Sequence, residues 1–112
     1  NGRSYQGHTP LLGRHQIYPI LVAVTVGLVF DLSPDKSLEA LAQLPRVPGR
    51  LNPLPGQKGA LILDDTFNAS PEATIAALDT LTELPGAHKV AILGDMPDLG
   101  DIENEAHHLG RN

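Results

Sequence analysis

Ala60-Leu61-Ile62-Leu63-Asp64-Asp65-Thr66-Phe67-Asn68-Ala69-Ser70-Pro71-Glu72 is the stretch whose reading decides the fold. Ala60 to Leu63 form an aliphatic run of strand length that ends in two consecutive carboxylates. Thr66 to Ala69 supply the turn. Ser70-Pro71-Glu72 then has the form of a helix start: a hydroxyl to receive free backbone N–H groups, a proline where no N–H is needed, and an acid that complements the helix dipole. Ile75, Leu78 and Leu81 follow with Ala76 and Ala77 alongside, and mark the face expected to be buried. Pro85-Gly86 ends the helix. Val90-Ala91-Ile92-Leu93 is a second apolar run, and it too leads into a turn with an acid, Gly94-Asp95. Two apolar strands without polar alternation around one helix predict a right-handed βαβ unit. Strands at 60–64 and 89–93 would then lie parallel in one sheet, flanking a helix at 71–84.

Upstream of this unit, Pro45 to Gly56 is rich in proline and glycine and reads as a linker or domain boundary, with a new unit beginning near Arg50. Ser33-Pro34-Asp35 is another helix start, followed by an apolar face of Leu38, Leu41, Ala42 and Leu44. Residues 15 to 30 are apolar with an ambiguous period. Their valines and isoleucine favour strand, but their length favours helix. The expectation is a helix buried on most sides, with Pro19 tolerated in its first turn. A membrane span needs about 20 apolar residues; the run from Ile17 to Phe30 is shorter and contains Pro19 and Gly27, so no span is expected. Asn1 to Thr9 is polar and turn-rich.

Thirteen acids against 8 Lys and Arg give a net charge of −5, which argues against a nucleic-acid partner, since phosphate binding needs a basic face. With no cysteine there is neither a disulfide framework nor a thiolate metal site, which fits the cytosol. Aromatic residues are 4% of the chain, so any core is built from Leu, Val, Ile and Ala. A polar start without an apolar h-region carries no signal peptide. Asn1 in place of Met, and an end at Gly110-Arg111-Asn112, lead us to expect a piece of a longer chain.

Ligands of open parallel sheets bind beyond the carboxyl ends of the strands. Two loops would stand there: Asp64 to Pro71, and Gly94-Asp95-Met96-Pro97-Asp98-Leu99-Gly100. A carboxylate at a strand end can accept from both hydroxyls of a ribose, and an adjacent Asn both donates and accepts. Equally, Asp64, Asn68 and Ser70 can serve only as turn and cap groups, and on spacing alone that structural role is the favoured one. No Gly-x-x-x-x-Gly-Lys-Ser/Thr loop occurs in the chain. His107-His108 with Glu103 reads as a solvated helix end, because neighbouring helical residues point about 100° apart; no metal site is expected.

Four motifs in order add a family resemblance. Asp64-Asp65-Thr66-Phe67-Asn68-Ala69-Ser70-Pro71 resembles the Asp-Asp-x-Tyr-Asn-Ala-Asn-Pro signature of the Mur ligase family, in its D-alanyl-D-alanine-adding branch. Leu93-Gly94-Asp95-Met96-Pro97-Asp98-Leu99-Gly100 is similar to that branch's Leu-Gly-Asp-Met-x-Glu-Leu-Gly, and is followed by His107 or His108 where the branch has a His. Gly49-Arg50 stands where the family has Gly-Arg, and Gly13-Arg14-His15 resembles the Gly-x-His late in the central domain. The chain departs from the pattern at Phe67 for Tyr, Ser70 for Asn, Asp98 for Glu, and Tyr18 where an Asn is usual.

The resemblance implies an α/β architecture in two parts. Residues 1–48 would be the tail of a central ATPase domain, and residues 49–112 part of a Rossmann-like parallel-sheet C-terminal domain. It implies a cytoplasmic, monomeric parent enzyme of peptidoglycan synthesis that uses ATP and Mg2+, the metal ligands lying mostly outside this segment. ATP would form an acyl-phosphate on UDP-N-acetylmuramoyl-tripeptide, and the amine of D-alanyl-D-alanine would attack it. Arg50 with Asp65 or Asp64 would then hold the ribose and phosphate side of ATP, with Asn68 and His15 also on the ATP side, Asn68 by the adenine. Asp95, Met96 and Asp98 would face the dipeptide. Two alternatives are a noncatalytic nucleotide-binding module, and another amide ligase of the superfamily, of the cyanophycin or folylpolyglutamate type.

Overall fold

A computed structural model describes residues 2–95, and the chain divides into two compact units, Asn1–Arg46 and Val47–Asn112. In the first unit a 3-10 turn, Arg14–Gln16, leads into α1, Ile17–Val29. Gly13 opens this turn at φ 94°, a backbone angle that L side chains rarely adopt, and its carbonyl accepts the Gln16 N–H at 3.1 Å. Pro19 sits in the first turn of α1, where its missing N–H breaks no helical bond. At the other end Leu32 N–H donates to Gly27 O at 2.9 Å and Asp31 N–H to Leu28 O at 3.2 Å. With Asp31 at φ 59°, this is a Schellman cap in which an aspartate takes the left-handed position usually given to glycine.

The chain then reverses into α2, Pro34–Ala42, with Ser33 Oγ accepting the Lys36 N–H as the sequence predicts. Helices α1 and α2 contact each other where Gly27 leaves no room for a side chain: a Cβ there would meet Ser37 Oγ at 2.6 Å. The expectation that α1 is buried on most sides is corrected. None of its residues is buried, and Tyr18 is 73% exposed. A helix apolar all round needs neighbours all round, and among the described residues its principal contacts are with α2 and the preceding 3-10 turn.

In the second unit Asn52–Pro55 forms β1, a 3-10 turn follows at Gln57–Gly59, and Leu61–Asp64 forms β2. The strands pair antiparallel, Asn52 opposite Asp64 and Pro55 opposite Leu61. Residues 89–93 form no strand, and Ile92 is 95% exposed, so the parallel βαβ arrangement expected from the sequence is not present among the described residues. The class remains mixed helix and strand, with β2 where it was expected. What differs is its partner. The crossover helix is formed, but residues 89–93 add no strand to β2, whereas the hairpin partner lies only a few residues upstream. Gly56 N–H donates to Ala60 O at 2.8 Å and closes the hairpin.

The segment read as linker therefore supplies a strand, and its prolines explain how. Hydrogen-bonded and non-hydrogen-bonded pairs alternate along an antiparallel ladder. The Gly56–Ala60 bond places Leu54 and Asn52 in the bonded class, so Pro53 and Pro55 fall at the positions whose N–H would point away from β2. Helix α3, Pro71–Glu83, starts as predicted with Ser70 Oγ accepting the Ala73 N–H at 3.2 Å. Its buried residues are Thr74 and Thr80, while Ile75, expected on the buried face, is exposed. Thr80 Oγ1 donates to Ala76 O at 2.7 Å, which satisfies its hydroxyl without a partner from another element. No described helix is long and apolar enough to cross a membrane.

Candidate functional site

Strand β2 delivers Asp64 and Asp65 to its carboxyl end, opposite the turn that precedes β1. That turn is built on Gly49 at φ 74° and Leu51 at φ 44°. These two positive-φ residues flank Arg50, whose N–H donates to Val47 O at 3.2 Å. A non-glycine residue at positive φ carries strain and persists only where its surroundings fix it. Here Leu51 is the buried hydrophobic residue of the described core, 8% exposed.

The two carboxylates grip the backbone on either side of Arg50. Gly49 N–H donates to Asp64 Oδ2 at 3.0 Å, and Leu51 N–H donates to Asp65 Oδ1 at 2.9 Å. Asp64 Oδ1 is also filled: it accepts the Thr66 hydroxyl at 2.7 Å and the Thr66 N–H at 3.3 Å. Phe67 N–H closes the arrangement on Gly49 O at 3.0 Å. The Arg50 guanidinium lies over the Phe67 ring, Cζ 4.3 Å from its centre, an attraction between the cation and the negative face of the ring. Asp65 Oδ2 receives no bond among the described residues. The unit thus presents a guanidinium, one open carboxylate oxygen and an aromatic face, a set able to bind a polyhydroxylated anionic ligand.

The other predicted residues fall out differently. Asn68 Oδ1 accepts the Ala69 N–H at 3.0 Å, a local turn bond that leaves its amide group available. His15 belongs to the first unit and shares a 3.0 Å contact between its Nε2 and Gln16 Nε2. Asp95 is exposed, and Met96 and Asp98 lie outside the described residues. Among the described residues no group of three or more His, Cys, Asp or Glu is placed to hold a metal ion. Thr66, Leu51 and Phe67 escaped the sequence reading as site residues. The signal for the Thr66 N–H was present, because an Asp side chain commonly accepts the backbone N–H two residues on.

The hydrogen bonds also set the charge on Asp64. The Thr66 hydroxyl is the largest influence that holds its carboxyl below its ordinary value of 3.8; desolvation opposes it, and the Gly49 and Thr66 N–H groups add to the lowering. A lowered folded-state pKa adds stability that is fully present above the unfolded value and is lost as pH falls through the folded one. Asp64→Asn should therefore flatten the acid limb of a stability–pH curve below about pH 4 and leave its shape near pH 7 unchanged. Urea midpoints for both proteins between pH 2 and pH 7 check this; parallel acid limbs would show that the Asp64 charge is not tied to the fold.

The sequence matches the family described as Mur ligase, glutamate ligase domain, over residues 49–110. It is 40% identical over 100 residues to the UDP-N-acetylmuramoyl-tripeptide–D-alanyl-D-alanine ligase of Escherichia coli (strain K12), covering 89% of this chain and 22% of the relative. The structure resembles crystal structure I of MurF from Acinetobacter baumannii at a TM-score of 0.85 and 34% identity, over 94% of this chain and 23% of that one. It also resembles the MurF ligase of Thermotoga maritima in complex with ADP, at a TM-score of 0.76 and 38% identity, over 88% and 22% of the two chains. The chain thus spans less than a quarter of the length of these relatives.

Proposed function

The chain belongs to the Mur ligase family, and from that premise we propose that it is a segment of an ATP-dependent amide ligase that adds D-alanyl-D-alanine to UDP-N-acetylmuramoyl-tripeptide. Residues 1–48 are then the end of the central ATP-binding domain, and residues 49–112 belong to the C-terminal domain. The work is cytoplasmic and belongs to cell-wall synthesis. The named relatives support the reaction, and the ADP bound to one structural neighbour supports the nucleotide. The observation in this chain that carries the reading is the Arg50 turn, gripped by Asp64 and Asp65 and backed by Phe67.

In this reading Arg50 faces the phosphate side of ATP and Asp65 Oδ2 accepts from the ribose. Asn68 serves the adenine end, His15 is assigned to ATP by its family motif alone, and Asp95, Met96 and Asp98 serve the dipeptide side. Magnesium would neutralise charge on the transferring phosphate, with its ligands supplied from elsewhere in the enzyme. A charged hydrogen bond to a ligand is worth about 1.5–3 kcal/mol, so Arg50→Ala or Asp65→Ala in the complete ligase should raise the KM for ATP about tenfold or more. Steady-state kinetics at saturating tripeptide and dipeptide test this. An unchanged KM in both variants would reduce the loop to a structural turn.

A further inference from the structure

Asp64 stands beside the acid assigned to the ligand, yet its bonding is of another kind. Both of its oxygens are taken by the protein: Oδ2 by the Gly49 N–H, Oδ1 by the N–H and hydroxyl of Thr66. A carboxylate that already accepts three bonds has little left for a ribose. What it holds is the residue immediately before Arg50, in a turn whose glycine sits at φ 74° against Phe67. The Arg50 side chain leaves that turn and reaches the Phe67 ring, so the direction of the guanidinium depends on where the Gly49–Arg50 peptide is fixed.

We propose that Asp64 is a positioning residue, which acts on the ligand only through Arg50 by anchoring the Gly49 N–H. This deepens the nucleotide-site reading above and rests on it. Thr66 completes the device: its hydroxyl fixes Oδ1, which turns Oδ2 toward Gly49. At neutral pH the Asp64 carboxyl is ionised, as any ordinary aspartate is, and so the anchor is a charged, strong acceptor.

The test is a double-mutant cycle in the complete ligase, with Arg50→Ala crossed against Asp64→Ala and, as a milder change, against Asp64→Asn. The readouts are the KM for ATP, kcat and the KM for the dipeptide. Asp64→Ala alone should raise the KM for ATP about tenfold, comparable to Arg50→Ala, and should add less than about twofold once Arg50 is already alanine. The KM for the dipeptide should not move, whereas general loosening of the fold would move both constants. Effects that multiply would overturn the proposal by showing that Asp64 meets the ligand itself. An Asp64 effect of nil beside a large Arg50 effect would overturn it too while leaving the nucleotide site standing. No effect of Arg50→Ala would remove the site and the proposal together. If Asp64→Ala does not fold, the Asp64→Asn arm decides by the same rule.

Discussion

Purified free of contaminating ATPase, the 112-residue chain is expected to release no ADP from ATP above a buffer control. Phosphoryl transfer depends almost entirely on positioning and charge stabilisation, through a backbone cradle, a lysine and metal ions around the phosphates. No Gly-x-x-x-x-Gly-Lys-Ser/Thr sequence lies in the chain, and the described residues hold no cluster of metal ligands. The N-terminus of α3 is no substitute. Its Ala73 N–H is taken by the Ser70 hydroxyl, and Glu72 in the first turn repels a phosphate. Arg50 remains as one cation where loss of a single arginine clamp already costs about 10³–10⁵ in rate. Steady ADP release in a coupled assay would mean that the chain builds a phosphate site of its own and would overturn the reading that the phosphate-binding loop must come from elsewhere in the ligase.

The acidic loop was legible because its chemistry is local. Ser70-Pro71-Glu72 and Ser33-Pro34-Asp35 carry their caps in sequence, and both helices start where those residues say. Asp64 ends β2 and Asp65 follows it, as the sequence predicts for a strand running into acids. The partner of that strand was not legible by the same means. Pro53 and Pro55 read as breakers because composition ignores which edge a missing N–H faces; only the register makes them compatible with a ladder. Val90 to Leu93 has strand composition without a strand. Composition specifies a tendency to be buried, and a parallel strand forms only where neighbours are present on its edges and faces. Helix α1 makes the same point: its sequence called for cover on all sides, and only its helical form could be read locally.

The site shows a further division. Arg50 was found by its place after Gly49 in a motif, but its orientation arises from contacts fourteen or fifteen residues away, Leu51 to Asp65 and Gly49 to Asp64. Those bonds could not be read from spacing, since the same carboxylates could have faced solvent or a ligand. The structural role favoured for Asp64 on spacing alone is the one its hydrogen bonds show: Asp64 makes turn bonds, and the turn it makes is the one that carries the arginine.

Gly49→Ala is expected to destabilise the second unit by roughly 2–5 kcal/mol, the sum of two separable costs. The first is the left-handed backbone at φ 74°, about 1–2 kcal/mol for a residue with a Cβ. The second is crowding: the new Cβ would lie 3.1 Å from both the Cβ and the backbone N of Phe67. Phe67 cannot retreat, because its N–H is bonded to Gly49 O, while Gly49 N–H is bonded to Asp64. Overpacking of this kind costs about 1–3 kcal/mol. Gly59 is the internal control. It has nearly the same angle, φ 78°, but nothing within 4 Å of a Cβ, so Gly59→Ala should cost only the backbone part, about 1–2 kcal/mol. Amide exchange at Ile62, which the ladder places in a hydrogen-bonded pair, reads both losses on the same hairpin. Equal losses would show that Phe67 does not press on the turn. A larger loss at Gly49 must also move Arg50, so in the complete ligase Gly49→Ala should raise the KM for ATP while Gly59→Ala leaves it unchanged.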